Sequence, residues 1–290
     1  MVKLKDPKNF DEQIKILKGR GLLINDEEYA KLILSNVNYY RFTAYLLTYR
    51  KEDDSYIEGT TFETISGIYG FDREFRNLLT GILGNIEISF RTYIAYTLAL
   101  KYGTIGYLDR NNFMNSNFHN GFLLNLEKEK TNNSNKLFIK HHYDKYEGKL
   151  PIWVATEIMT FGMLSKLYSN MLPVDKTYIK NNLCRVNPTL VDTWLQSLTH
   201  IRNQCAHYGR LYNEIFPIVK IKKEYREHNL DNKKIFAYIV TMKHLISDPM
   251  VWDKFFINLQ FLINEYRSYI KLELIGFPEN WIEILSKKVK

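Results

Sequence analysis

Arg202, Asn203 and His207 stand close together in the stretch THIRNQCAHYGRLYN, which runs from Thr199 to Asn213. A guanidinium, a carboxamide and an imidazole form a set that suits a phosphodiester. An imidazole that titrates near ~6.5 moves a proton at neutral pH. A guanidinium clamps phosphate oxygens and holds the charge that builds in the transition state. A carboxamide fixes the imidazole or a phosphate oxygen. With the 2′-hydroxyl of RNA as the attacking group, such a set calls for no metal and no cofactor. On a helix, Asn203 and His207 share a face, being four apart. Arg202 and His207 are about 140° apart, a gap that the length of arginine and a loosening of the helix near Gly209 would close. His200 and Arg210 stand close enough to be secondary, substrate-binding candidates. The same spacing also describes a solvated basic face of a helix, and spacing alone leaves both readings open.

Other chemistries leave no mark. The chain has no P-loop, no His-Glu-x-x-His, no Gly-x-Ser-x-Gly and no EF-hand loop. The run HHYDKYE, His141 to Glu147, has ligand-type residues but lies in a polar stretch, and is read as no metal site. Two cysteines, Cys184 and Cys205, form no Cys-x-x-Cys pair. The net charge of +8 over 290 residues favours a polyanionic partner, although the lysines are scattered and form no tail-like block. No apolar run approaches the ~18 residues of a membrane span, and the start of the chain has no apolar signal core. A cytoplasmic protein without a membrane partner is expected.

The elements that must position these residues read as helices. Phe10, Ile14 and Leu17 begin the pattern, stopped by Gly19 and Gly21. A second run from Asp26 to Arg50 breaks at Ser35-Asn36. The strongest signal follows a capping Thr61. From Phe71 apolar residues recur with helical period for about 30 residues, a rod of roughly 45 Å, with Arg73, Arg76, Glu87 and Arg91 on the opposite side. Glu87 and Arg91 read as an i, i+4 ion pair, with an orienting role for the acid toward Arg202 or His207 as the alternative. Pro151 begins a helix with Trp153, Ile158 and Leu164 inward. Pro188 begins the one that carries the motif, with Leu190, Trp194, Leu198 and Ile201 inward. Two amphipathic helices follow, over NKKIFAYIVTMKHLI and MVWDKFFINLQFLINEYRSYI, and Trp153, Trp194 and Trp281 are expected in the core.

The stretch RNQCAHYGRLYN resembles the signature of the Abi family, the abortive-infection proteins of the AbiD and AbiF type, within the HEPN superfamily. Further blocks are similar and stand in the family's order: NYYRFTAYLLTYR, IYGFDREFRNLLTGILGNIEISFRTYIA, PIWVATEIMTFGMLSKLY and IGFPENW. The resemblance spans nearly the whole chain and is weakest over a polar insert at roughly 111–149. It implies an all-α, HEPN-type helical bundle with additional peripheral helices, forming a single domain over 1–290. It implies Arg202, Asn203 and His207 as the site of an endoribonuclease that acts in phage defence or as a toxin, and a homodimer in which two copies of the motif meet. RNA, including a small non-coding RNA, and an antitoxin are the partners it implies. A non-catalytic HEPN-type module that binds RNA or a protein is the alternative.

Overall fold

The computed structural model describes residues 6–287. They form thirteen α-helices joined by short 3-10 segments and one π turn, with no strand among the described residues. In chain order these are α1 (Phe10–Gly19), α2 (Glu27–Asn36), α3 (Tyr39–Thr43), α4 (Phe62–Tyr102), α5 (Ser116–Asn132), α6 (Leu137–Tyr146) and α7 (Ile152–Ala155). They continue with α8 (Phe161–Asn170), α9 (Pro173–Ile179), α10 (Pro188–Ala206), α11 (Ile235–Leu245), α12 (Pro249–Glu265) and α13 (Trp281–Ser286). The all-α class is as the periodicity predicts.

The rod is α4, 41 residues long, or about 60 Å at ~1.5 Å per residue. The Thr61 hydroxyl accepts from the Thr64 N–H and starts it; Gly103, at φ 79°, ends it. Its buried residues include Ile65, Ile68, Phe75, Leu79, Ile82, Ile86, Phe90 and Ile94, each three or four from the next but for one gap of seven. A row this long is too much for one partner, so α7, α8, α9, α10, α11 and α12 all pack against it. Buried side chains from Ile14 to Leu285 form one continuous hydrophobic cluster around it.

Four expectations need correction. Arg76 is not on a solvated face: it is buried beside the equally buried Asp72, because an ion pair and further hydrogen bonds satisfy it inside. Trp153 is 49% exposed, since it lies on the outer face of the short α7, while Ile152 and Ala155 point inward; Trp194 and Trp281 are in the core. The helix begun at Pro151 is broken at Met159, and Thr160 caps α8 anew. Helix α11 is buried on all sides rather than amphipathic. Its polar residues are tolerated because each finds an interior partner: Thr241 donates to the Tyr238 carbonyl (2.7 Å), and Lys243 donates to the Ile284 carbonyl (2.8 Å). His244 pairs with the Tyr225 hydroxyl (2.9 Å). The polar stretch after Asn111 folds as α5 and α6, anchored by buried Phe122, Leu126 and Ile139.

Candidate active site

Helix α10 presents the motif. The Asn187 side chain accepts from the Thr189 N–H (2.9 Å) and Pro188 occupies the first helical position, where no N–H is needed. Val191, Trp194, Leu195, Leu198, Ile201 and Cys205 bury one face. The helix stops at Ala206, and His207 is its C-cap (φ −94°, ψ 14°). The Tyr208 N–H donates to the Cys205 carbonyl (3.1 Å) and the Gly209 N–H to the Gln204 carbonyl (2.7 Å), the paired bonds of a Schellman end. The left-handed residue of that motif is Tyr208 (φ 56°), where glycine is the easiest occupant. The Tyr208 ring is 69% exposed, so little packing offsets the strain of the backbone.

The loop after the cap is fastened from behind. The fully buried Asp72 carboxylate of α4 accepts from the Leu211 N–H (3.1 Å), the Tyr212 N–H (2.8 Å), the Tyr45 hydroxyl (2.6 Å) and the Arg76 guanidinium. Burial pushes the Asp72 carboxyl up, and Arg76, Tyr45 and the two N–H groups oppose that push. Arg76 also donates to the Gly209 carbonyl (3.3 Å). The segment from α3 onward holds the other side. Arg41 donates to the Tyr208 carbonyl, Arg210 to the Ala44 carbonyl (2.6 Å), and Asn213 to the Thr48 hydroxyl (2.8 Å).

The sequence candidates therefore divide. Arg202 and Asn203 meet: the guanidinium donates to the carboxamide oxygen at 3.3 Å. The His207 ring is exposed and makes no hydrogen bond among the described residues, so it is not bonded to the Arg202–Asn203 pair. His200, also exposed, sets its ring edge against Phe216 at 6.2 Å between centroids. Arg210 is committed to the Ala44 carbonyl and to Glu214 (2.9 Å), which leaves it a loop fastener rather than a free anion ligand. Glu87 makes the expected i, i+4 ion pair and also lies near Arg202. One oxygen pairs with Arg91 at 2.7 Å, and the other lies 3.9 Å from the Arg202 Nε. Arg91 in turn donates to the Met159 carbonyl (3.0 Å) and pairs with Glu157 at 3.4 Å. No group of three His, Cys, Asp or Glu residues able to hold a metal ion occurs among the described residues, His141 and His142 included.

Asp72, Tyr45 and Arg41 escaped the sequence reading. One signal was present for Asp72. It sits between Phe71 and Phe75 on the apolar face of a long helix, four residues before Arg76, and a carboxylate there has to be paired.

The profile of the family described as Abi-like protein matches residues 32–213. The chain belongs to that family. Membership connects it with abortive infection, the bacterial defence against phage. The matched span contains Arg41, Tyr45, Asp72, Arg76, Glu87 and the whole motif, and stops at Asn213, the last residue of the fastened loop. No curated protein and no solved structure matches the chain. No helix is long and apolar enough to cross a membrane among the described residues.

Proposed function

We propose that this Abi-like protein is an endoribonuclease of the HEPN type whose chemistry is carried by Arg202, Asn203 and His207. The observation that carries the reading is the contrast at the end of α10: an exposed, unpartnered imidazole follows a helix whose trailing loop is pinned by buried Asp72. A side chain held rigidly from behind and free in front is suited to act on a bound molecule. His207 takes the proton of the RNA 2′-hydroxyl as its oxygen attacks phosphorus. The bond to the 5′-oxygen breaks, and that oxygen receives a proton. The products are a 2′,3′-cyclic phosphate and a free 5′-hydroxyl. Arg202, held by Glu87 and touching Asn203, neutralises the phosphate oxygens.

In-line displacement places the attacking and leaving oxygens on opposite sides of phosphorus, so one imidazole serves one of them. A second copy of the chain, related by a two-fold axis, supplies the other. Ile88, Tyr96 and Leu100 are exposed on α4, the helix that carries Glu87, and offer apolar surface on which such a copy would seat.

The test is cleavage of single-stranded RNA in the presence of EDTA by the wild type and by His207→Ala. The wild type should leave a 2′,3′-cyclic phosphate, and the variant should bind RNA without turning it over. Cleavage of a 2′-deoxy strand, or turnover unchanged in His207→Ala, would refute the assignment. A wild type that binds RNA and never cleaves it would favour the binding-module alternative. Light scattering on the active protein reads the dimer, and full activity from a monomer would remove the second copy from the scheme.

A further inference from the structure

The residues after the active-site loop build a second feature at the far end of α10. Lys220, Lys222, Lys223 and Arg226 line a groove of about 730 Å³ that also includes Asn187 and Thr189 at the start of that helix. Lys222 has a distant carboxylate, Glu224, at 3.9 Å. Lys220, Lys223 and Arg226 have none within 4 Å among the described residues. What marks them is that four cations line one groove.

The groove wall is fixed rather than loose. The Trp194 Nε1–H donates to the Lys220 carbonyl (2.6 Å), the Val219 N–H donates to the Asn232 carbonyl (3.0 Å), and buried Tyr225 is bonded to His244. Lys223 and Arg226 are exposed on either side of that tyrosine. The wall lies outside the span shared with the family.

Helix geometry connects the groove to the motif. At ~100° per residue Thr189, Gln196, His200, Asn203 and His207 fall within about 40° of one line, and all five are exposed. The one carboxylate near that line, Asp192, is paired with Lys176 at 2.9 Å. An open, uncharged, hydrogen-bonding track of about 27 Å thus runs from His207 to Thr189 and ends among four cations.

We propose that the groove holds the backbone of a single-stranded RNA whose scissile phosphate lies at His207, the strand following the outer face of α10. The proposal rests on the ribonuclease reading for its substrate. Three unpaired cations and Lys222 in a fixed concave wall fit a polyanion, and the polar track gives the intervening nucleotides partners without repelling them. His200 gains a role here as a contact midway along the strand.

The experiment measures affinity by fluorescence anisotropy at several salt concentrations, on a long single strand, for wild type, His207→Ala, Lys223→Gln/Arg226→Gln and Lys220→Gln. Cleavage of the long strand and of a dinucleotide, too short to reach the groove, is followed in parallel. Two lost phosphate contacts should flatten the slope of log affinity against log salt by about 1.4, at ~0.7 per contact, and weaken binding on the order of tenfold near physiological salt. His207→Ala should keep the wild-type slope, and dinucleotide turnover should be the same in the groove variants as in the wild type. An unchanged slope in both groove variants, with cleavage by the wild type intact, would overturn the groove and leave the ribonuclease reading standing. Weakened binding in the groove variants of a protein that never cleaves RNA would do the reverse. A wild type that does not bind RNA would overturn both. Equal loss on the long strand and the dinucleotide would assign these cations to the active site itself and overturn the anchoring role.

Discussion

Replacing Asp72 by alanine should separate the stability of the chain from the shape of the candidate site. The carboxylate is fully buried and meets four donors: the Arg76 guanidinium, the Tyr45 hydroxyl and the N–H groups of Leu211 and Tyr212. Asp72→Ala leaves Arg76, whose side chain is 4% exposed, without its counter-charge. Breaking a buried pair in this one-sided way costs about 3–5 kcal/mol, because the surviving charge stays desolvated. The orphaned N–H groups are part of that figure rather than an addition to it. With an unfolding entropy of ~2.1 cal/mol/K per residue, 290 residues give about 0.6 kcal/mol/K, so the melting temperature should fall by about 5–8 °C. Removing both charges in Asp72→Ala/Arg76→Met should restore only part of this loss, since no buried charge remains but the Leu211 and Tyr212 N–H groups still lack an acceptor.

Activity should not follow stability back. The double variant lacks the acceptor for Leu211 and Tyr212 and the donor to the Gly209 carbonyl, so the loop after His207 stays unfastened. Thermal melts and urea titrations read the first effect, and RNA cleavage well below the melting temperature reads the second. A cost below about 1 kcal/mol for Asp72→Ala would show that this network holds little, and the reasoning would fail. Full activity in the double variant would show that the network is structural only and does not shape the site.

Glu87→Gln removes the charge near Arg202; a partly exposed pair of about 0.5–1 kcal/mol predicts a roughly 2- to 5-fold fall in kcat/KM on RNA, and no change would deny Glu87 any positioning role. Tyr208→Gly relieves a left-handed tyrosine, so the urea midpoint should rise by the equivalent of about 0.5–1 kcal/mol. If the exposed ring stacks a base, the same variant should bind RNA about 5-fold or more weakly; a lower midpoint would contradict the strain argument. His244 is held neutral, burial and the nearby lysines Lys222 and Lys243 pushing its imidazole down to about 3. Glu224, 3.4 Å from Nε2, is itself largely exposed and does not reverse this. Because the folded value lies below the unfolded one, the stability linked to His244 is complete above about pH 6.5 and is lost as pH falls toward 3, by up to about 1.4 kcal/mol per unit. Melts of wild type and His244→Gln between these limits should therefore converge as the pH drops, and parallel curves would count against a buried neutral imidazole.

Much of the helix framework could be read from period and punctuation because both are local. Thr61 and Asn187 cap helices, Pro188 opens one, and the break at Ser35-Asn36 ends another. The facing of individual residues was less legible. Trp153 is apolar and bulky, yet a helix of four residues has too short a period to say which way it points. Helix α11 has polar residues at intervals that mimic a wet face, and only the arrival of Ile284 and Tyr225 from distant parts of the chain makes them interior. The candidate site shows the same division. Arg202, Asn203 and His207 were visible as a spacing, whereas the groups that hold them lie on α3 and α4, more than a hundred residues away. The engagement of Arg210 was hidden for the same reason, because the Ala44 carbonyl that takes it belongs to that distant segment.

Rigidity and reactivity are kept apart at the end of α10 by sequence order. The Tyr208 and Gly209 carbonyls are taken by Arg41 and Arg76, and the Leu211 and Tyr212 N–H groups by Asp72. The side chains of Asn203, His207 and Tyr208 are left outside. Fastening the loop through its backbone constrains the position of His207 without using its ring, so the imidazole keeps both nitrogens for another molecule. The same economy argues against completing the site inside one chain. Arg202 is drawn toward Glu87 and Asn203, and a single imidazole has no proton donor opposite it. The proposed reaction asks for a second imidazole across the phosphate, and a two-fold axis that brings a second copy of His207 there would supply it without any new residue.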